Sequence, residues 1–176
     1  MSAGTPDQGA DLAAFARARE GLEQAYQQVP DEALTYVPEG EDYTLGGLAV
    51  HVTDVLLHYV HVLDLMKGAN YGEVRALDAA DDAKRQRDAM VRDGFGSAER
   101  PGVFRDMRAA HDALAARVRA MGSEEYVRPS NVLYGADATE PYATRAADVL
   151  GWVTDHYNEH IDQVGQLVER WKQSRT

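Results

Sequence analysis

The sequence predicts a single-domain, all-α protein built as a four-helix bundle. Four long segments place apolar residues at helical spacing, and loops rich in Gly, Pro and Asp separate them. No alternating strand pattern is long enough to indicate a sheet, and four amphipathic helices without strands imply a bundle. A chain of 176 residues suits one domain. We therefore expect one domain over residues 1–176, with residues 1–10 flexible.

The first three predicted helices are bounded by residues that typically begin or end a helix. Pro30 ends the first helix, Thr44 is the expected N-cap of the second and Gly68 its expected C-cap, and Gly122 ends the third. The four helices are expected over residues 11–29, 44–67, 103–121 and 144–171.

Two further segments lie between these helices. Residues 78–92 are mostly charged and are expected to form a polar helix, with Ala83 and Met90 facing inward. Residues 122–142 form a long connector that contains three tyrosines. Connectors of this length often act as lids or docking surfaces. We predict that this one borders a pocket mouth; the alternative is that its tyrosines only cap the bundle end.

Composition and charge exclude several classes of function. A net charge of −11 opposes nucleic-acid binding, which needs a basic surface. The chain has no cysteine, so a metal must be held by His, Asp or Glu, and any thiol must come from a separate molecule. The N-terminus lacks the features of a signal peptide, and no segment approaches the ~20 apolar residues of a membrane span. We expect a cytoplasmic protein with a small-molecule substrate and without nucleic-acid or membrane partners.

All six histidines lie within predicted helices, and two of them are spaced to share a metal ion. His156 and His160 are four residues apart, so their rings lie one turn apart on the same helix face. The neighbours of His160 are apolar, and a buried ring without a partner costs about 1–3 kcal/mol. Metal ligation would satisfy both rings. The alternative is two boundary histidines bonded to water or backbone.

A third ligand must come from another helix, and spacing alone leaves two candidates. His51 and His58 both lie on the inward side of the second helix, about 10.5 Å apart along its axis. They cannot share one ion, because zinc–nitrogen bonds are only about 2.0–2.1 Å long. If the second and fourth helices run parallel from matching ends, His58 lies closer than His51 to the height of His156 along the bundle. This depth argument favours His58 as the third ligand. We expect His58 and His61 to pack against other side chains or to lie at the surface; the alternative is that the two chelate a second ion. We expect His111 to be a core or boundary histidine with its hydrogen-bonding groups paired.

Two segments resemble motifs of a known family. Residues 42–51, DYTLGGLAVH, resemble the second-helix motif of the DinB/YfiT-like superfamily of metalloenzymes, in which a polar-aromatic turn precedes an inward histidine. Residues 156–163, HYNEHIDQ, resemble the fourth-helix signature of the same superfamily. The resemblance covers nearly the whole chain and implies a DinB/YfiT-like four-helix bundle. It also implies the metal ligands His51, His156 and His160, holding zinc or nickel with water at the remaining positions.

Three neutral ligands leave a divalent ion with its full charge and an open position, which is the pattern of a catalytic zinc site. Relatives within this superfamily resemble thiol transferases or isomerases. The resemblance of this chain to the superfamily therefore implies a metal-dependent S-transferase, which would use a low-molecular-weight thiol such as mycothiol or bacillithiol. The alternatives are a metal-dependent hydrolase and a stress-related binding bundle without turnover. Asp54, Asp155 and Glu159 are candidates for orienting the ligand rings, but we expect each of them to be a solvated surface charge instead. A homodimer is an alternative to a monomer.

Overall fold

Four long helices and two short ones form the framework of the structure, a computed structural model that describes residues 6–175. A 3-10 turn, Asp31–Ala33, follows the first helix. In chain order the helices are α1 (Gln8–Gln27), α2 (Gly47–Gly68), α3 (Asp82–Asp93), α4 (Arg100–Arg119), α5 (Ser123–Tyr126) and α6 (Ala146–Gln173). The long helices α1, α2, α4 and α6 correspond to the four predicted from the sequence.

These four helices form a bundle in which consecutive helices are not always neighbours. α1 packs mainly against α6, and α2 packs mainly against α4. α2 also contacts α6, and α1 contacts α4, so α1 lies diagonally opposite α2. The long connections over residues 28–46 and 120–145 therefore join diagonal helices.

One contiguous apolar core lies between the helices. Each long helix contributes an inward stripe at helical spacing, which removes its apolar side chains from water. Among the least exposed side chains are Phe15, Leu22, Leu56, Met107 and Leu150, all at 1% exposure or less. This packing fixes α2 and α6 side by side, and these two helices carry the candidate metal ligands.

The first helix begins earlier than expected. The carboxylate of Asp7 accepts hydrogen bonds from the backbone N–H groups of Gly9 and Ala10, which makes it the N-cap of α1. Gln8 to Ala10 therefore belong to a helix, although residues 1–10 are expected from the sequence to be flexible. Residues 1–5 lie outside the described residues.

A small three-stranded sheet accompanies the bundle, so the predicted four-helix bundle is confirmed but a strictly all-α fold is not. Its strands are β1 (Glu73–Ala76), β2 (Ser130–Tyr134) and β3 (Tyr142–Thr144). β1 pairs parallel with β2, and β2 pairs antiparallel with β3. The strands have only three to five residues each, which is too short for an alternating pattern to be recognised in the sequence.

The predicted polar helix is present as α3, but its contacts differ from those expected. Ala83 is exposed, whereas Met90 is half-buried against the core. No residue of α3 is fully buried. The helix lies on α2, where Lys84 and Arg87 form ion pairs with Asp54.

Within the described residues, α2 is long and apolar enough to cross a membrane by length and composition alone. A helix that meets these two criteria was not expected from the sequence. The most apolar part of α2 is 44% buried inside the structure, and Leu48, Val52 and Leu56 of this helix lie in the core. A helix that supplies much of a bundle core has the same composition as a membrane span.

Candidate metal centre

Three histidines from two helices meet at one point of the bundle. His51 comes from α2, and His156 and His160 come from α6. One ring nitrogen from each lies within 4.8 Å of the other two. The Nε2 atoms of His156 and His160 are 3.2 Å apart, close to the ~3–4 Å separation of two nitrogens that share an ion at about 2.0–2.1 Å. The three residues that the resemblance names are thus close enough to share one ion.

The relative direction of α2 and α6 explains why His51 rather than His58 joins the cluster. The His51 ring lies 5.0 Å from the His156 ring and 5.4 Å from the His160 ring. Eight residues further along α2, the ring of Tyr59 lies 5.9 Å from Trp152, which precedes His156 on α6. The two helices therefore run antiparallel. The depth argument that favours His58 assumes parallel helices and is wrong.

Burial favours the neutral form of the three imidazoles, which is the form that binds a metal. Burial lowers the pKa of His51, and the charges of His160 and Lys84 act in the same direction against that of Asp54. Burial, followed by the charges of His160 and His51, lowers the pKa of His156 to about 4. Burial also lowers the pKa of His160, although its hydrogen bond to Gln163 acts in the opposite direction.

A short chain of hydrogen bonds orients His160. Its Nδ1 lies 2.7 Å from Oε1 of Gln163, and the amide nitrogen of Gln163 donates to the hydroxyl of Tyr43. Because an amide oxygen only accepts, His160 donates through Nδ1 and keeps Nε2 free of a proton. The Gln163 side chain is thus a partner that holds a ligand ring in its binding orientation.

The sequence offers Asp54, Asp155 and Glu159 as candidates for this orienting role, although each is expected to be a solvated surface charge. Asp54 pairs instead with Arg87 and Lys84 of α3, and Asp155 and Glu159 are exposed. Gln163 belongs to the α6 motif and stands three residues after His160. That spacing places the two side chains on one helix face, so the signal was present in the sequence.

The remaining histidines lie outside the cluster. Nδ1 of His58 lies 3.0 Å from a carboxylate oxygen of Asp78, and His61 is exposed. His111 is buried, as expected. Its ring stacks on Phe15 with centroids 3.8 Å apart, and its Nδ1 lies 3.4 Å from the Tyr157 hydroxyl. Burial lowers the pKa of His111 to about 4.

A cleft of about 520 Å³ opens beside the cluster, and His51 and His156 form part of its wall. This volume lies within the range of small-molecule sites. Charged residues of α2 and α3 line one part of the cleft, whereas Val55, Tyr59 and Trp152 give it an apolar part.

The end of the long connector reaches the rim of this cleft. The ring of Tyr142 lies 5.8 Å from Trp152, and the ring of Tyr134 lies 6.1 Å from His58; Trp152 and His58 both line the cleft. Tyr126 has a different role, because its hydroxyl donates to the carboxylate of Asp11 on α1. The connector therefore borders the pocket through β2 and β3, not along its whole length.

The fold is thus a four-helix bundle that brings together three histidine side chains able to hold a metal ion. A model of the DinB superfamily matches residues 14–164, and the chain belongs to that superfamily. No curated protein matches the chain.

The solved structures that share this fold include two that match over nearly the whole chain. One is YfiT from Bacillus subtilis, described as a probable metal-dependent hydrolase with an unusual four-helix bundle topology. It is 16% identical, with 97% of this chain and 91% of YfiT covered at a TM-score of 0.71. The other is a protein from Streptococcus pneumoniae that is 11% identical, with 98% and 94% covered at a TM-score of 0.62.

Proposed function

We propose that this protein is a divalent-metal-dependent hydrolase whose ion is held by His51, His156 and His160. The observation that carries the proposal is the meeting of three imidazoles, with one ring nitrogen of each within 4.8 Å of the others, beside an open cleft. Structural zinc sites are normally closed by four protein ligands, whereas catalytic sites keep a position open. Imidazole donors suit zinc and nickel, and both are candidates.

The protein residues supply binding, orientation and a shaped cavity. A divalent ion in this site would lower the pKa of a bound water molecule towards neutrality and polarise a carbonyl or phosphoryl oxygen. His160 is held by Gln163, so its free ring nitrogen faces His156. The apolar side chains of Val55 and Trp152 line one part of the cleft, where they would contact an apolar part of a substrate. YfiT, which is described as a probable metal-dependent hydrolase, supports the same class of reaction.

A thiol S-transferase is the second candidate. A thiolate from a low-molecular-weight cofactor such as mycothiol or bacillithiol would occupy the open position in place of water, since the chain has no cysteine of its own. The apolar part of the cleft favours this candidate, because an electrophile with an apolar body fits beside the ligands.

Parallel assays of the metal-free and the zinc- or nickel-loaded protein test these proposals. One assay follows hydrolysis of p-nitrophenyl esters, and the other follows conjugation of monochlorobimane with a low-molecular-weight thiol. Hydrolysis that needs metal, disappears in His51→Ala and persists in His61→Ala supports the hydrolase. His61 is a matched control because it is an exposed histidine on the same helix. Conjugation without hydrolysis supports the transferase, and bound metal without either activity supports a binding bundle.

A further inference from the structure

An aromatic wall lies directly beside the histidine cluster. Tyr59 on α2 and Trp152 on α6 face each other with ring centroids 5.9 Å apart and planes inclined by 45°. Both side chains are half-buried, and both line the cleft that also contains His51 and His156. Because α2 and α6 run antiparallel, the two rings lie on the same side of the cluster.

The cationic side chains at the polar wall of the same cleft are engaged by carboxylates of that wall. Lys84 pairs with Asp88 and lies 3.8 Å from Asp54. Arg87, which adjoins this wall, pairs with Asp54 as well. In the described structure, the lysine that lines the cleft is thus engaged by carboxylates rather than available to bind an anionic group. Binding energy for a substrate must come largely from the apolar wall and the metal.

We propose that Tyr59, Trp152 and Val55 form a subsite for a neutral aromatic group of the substrate. The inference rests on the proposed function, because the reacting group of the substrate would lie at the metal. Tyr59 and Trp152 offer ring faces and edges to an aromatic body, and aromatic pairs favour tilted or offset arrangements of this kind. The substrate class is therefore a neutral aryl compound with a metal-directed carbonyl or related group, not a carboxylate- or phosphate-bearing metabolite.

Two metal-chelating probes distinguish the contribution of the subsite to binding from the contribution of the metal. Benzohydroxamate and acetohydroxamate bind a divalent ion through the same group, but only benzohydroxamate carries an aromatic ring. Binding to the metal-loaded protein is followed by tryptophan fluorescence in a Trp171→Phe background, where Trp152 is the remaining tryptophan. Benzohydroxamate should bind about tenfold more tightly than acetohydroxamate.

Substitution of the aromatic residues of the wall tests whether they bind the aromatic ring of the probe. In Trp152→Ala, followed by calorimetry, the preference for benzohydroxamate should fall to about twofold or less while acetohydroxamate binds as before. Tyr59→Leu keeps an apolar side chain and gives a second comparison if Trp152→Ala does not fold. An equal affinity of the wild type for both probes, or a preference that neither variant changes, overturns the subsite. If the protein retains no metal and binds neither probe, the metal centre itself is refuted, and the subsite with it.

Discussion

Nδ1 of His160 and Oε1 of Gln163 lie 2.7 Å apart, one helical turn apart on α6. This contact fixes the proton of His160 on Nδ1 and leaves its Nε2 facing Nε2 of His156 at 3.2 Å. The amide nitrogen of Gln163 in turn donates to Tyr43 in the segment that precedes α2. One side chain therefore links a candidate ligand to the connection between α1 and α2.

Gln163→Leu should weaken metal binding by about 10- to 100-fold, because the His160 ring loses the partner that sets its orientation and tautomer. Competition with a chromophoric chelator measures the affinity. Gln166→Leu is the matched control, since Gln166 is exposed on the same helix and should bind metal as the wild type does. An unchanged affinity in Gln163→Leu would show that packing alone orients His160.

Gly47→Ala should destabilise the protein by about 1–3 kcal/mol. A Cβ atom at this position would lie 2.1 Å from the backbone oxygen of Val91, so α3 would have to move away from α2. Urea denaturation measures the loss. Gly68→Ala on the same helix is the control, because its Cβ would meet no atom within 4 Å. Equal stability of the two variants would contradict the close contact between the helices.

The buried imidazole of His111 should make stability depend on pH. Burial lowers its pKa from 6.5 to about 4, so between these values the unfolded chain binds a proton that the folded protein does not. The contribution of His111 is therefore fully present above about pH 6.5 and falls by about 1.4 kcal/mol for each pH unit towards pH 4.

His111→Phe should remove this dependence while keeping an aromatic ring on Phe15. Urea denaturation of metal-free wild type and variant, at intervals from pH 7 to pH 4.5, measures the difference in unfolding free energy. The other histidines are common to both proteins, so the difference isolates His111. Parallel pH curves for the two proteins would show that His111 titrates alike in the folded and unfolded states.

The sequence predicts the long helices well because their apolar spacing is repeated over many turns. It also identifies His156 and His160 as a pair, since i,i+4 spacing is a local property. The choice between His51 and His58 depends on whether α2 and α6 run parallel or antiparallel. That direction is a tertiary property, and the spacing of histidines within one helix carries no information about it.

The sheet was missed for a similar reason. β1 has a single buried residue, Ala76, and buried positions in β2 do not alternate regularly. The sheet forms only when residues 73–76 pair with residues 131–134, and these two segments lie far apart in the chain. Short strands that form through distant pairing leave almost no local pattern.

The central claim is that one divalent ion binds through His51, His156 and His160, and elemental analysis after metal loading and dialysis tests it most directly. The wild type, His58→Ala and His61→Ala should each retain about one ion per chain. Replacing any of the three proposed ligands with Ala should reduce affinity by about tenfold or more, with circular dichroism confirming that each variant is folded. Metal retained by folded His51→Ala but lost from folded His58→Ala would contradict the account.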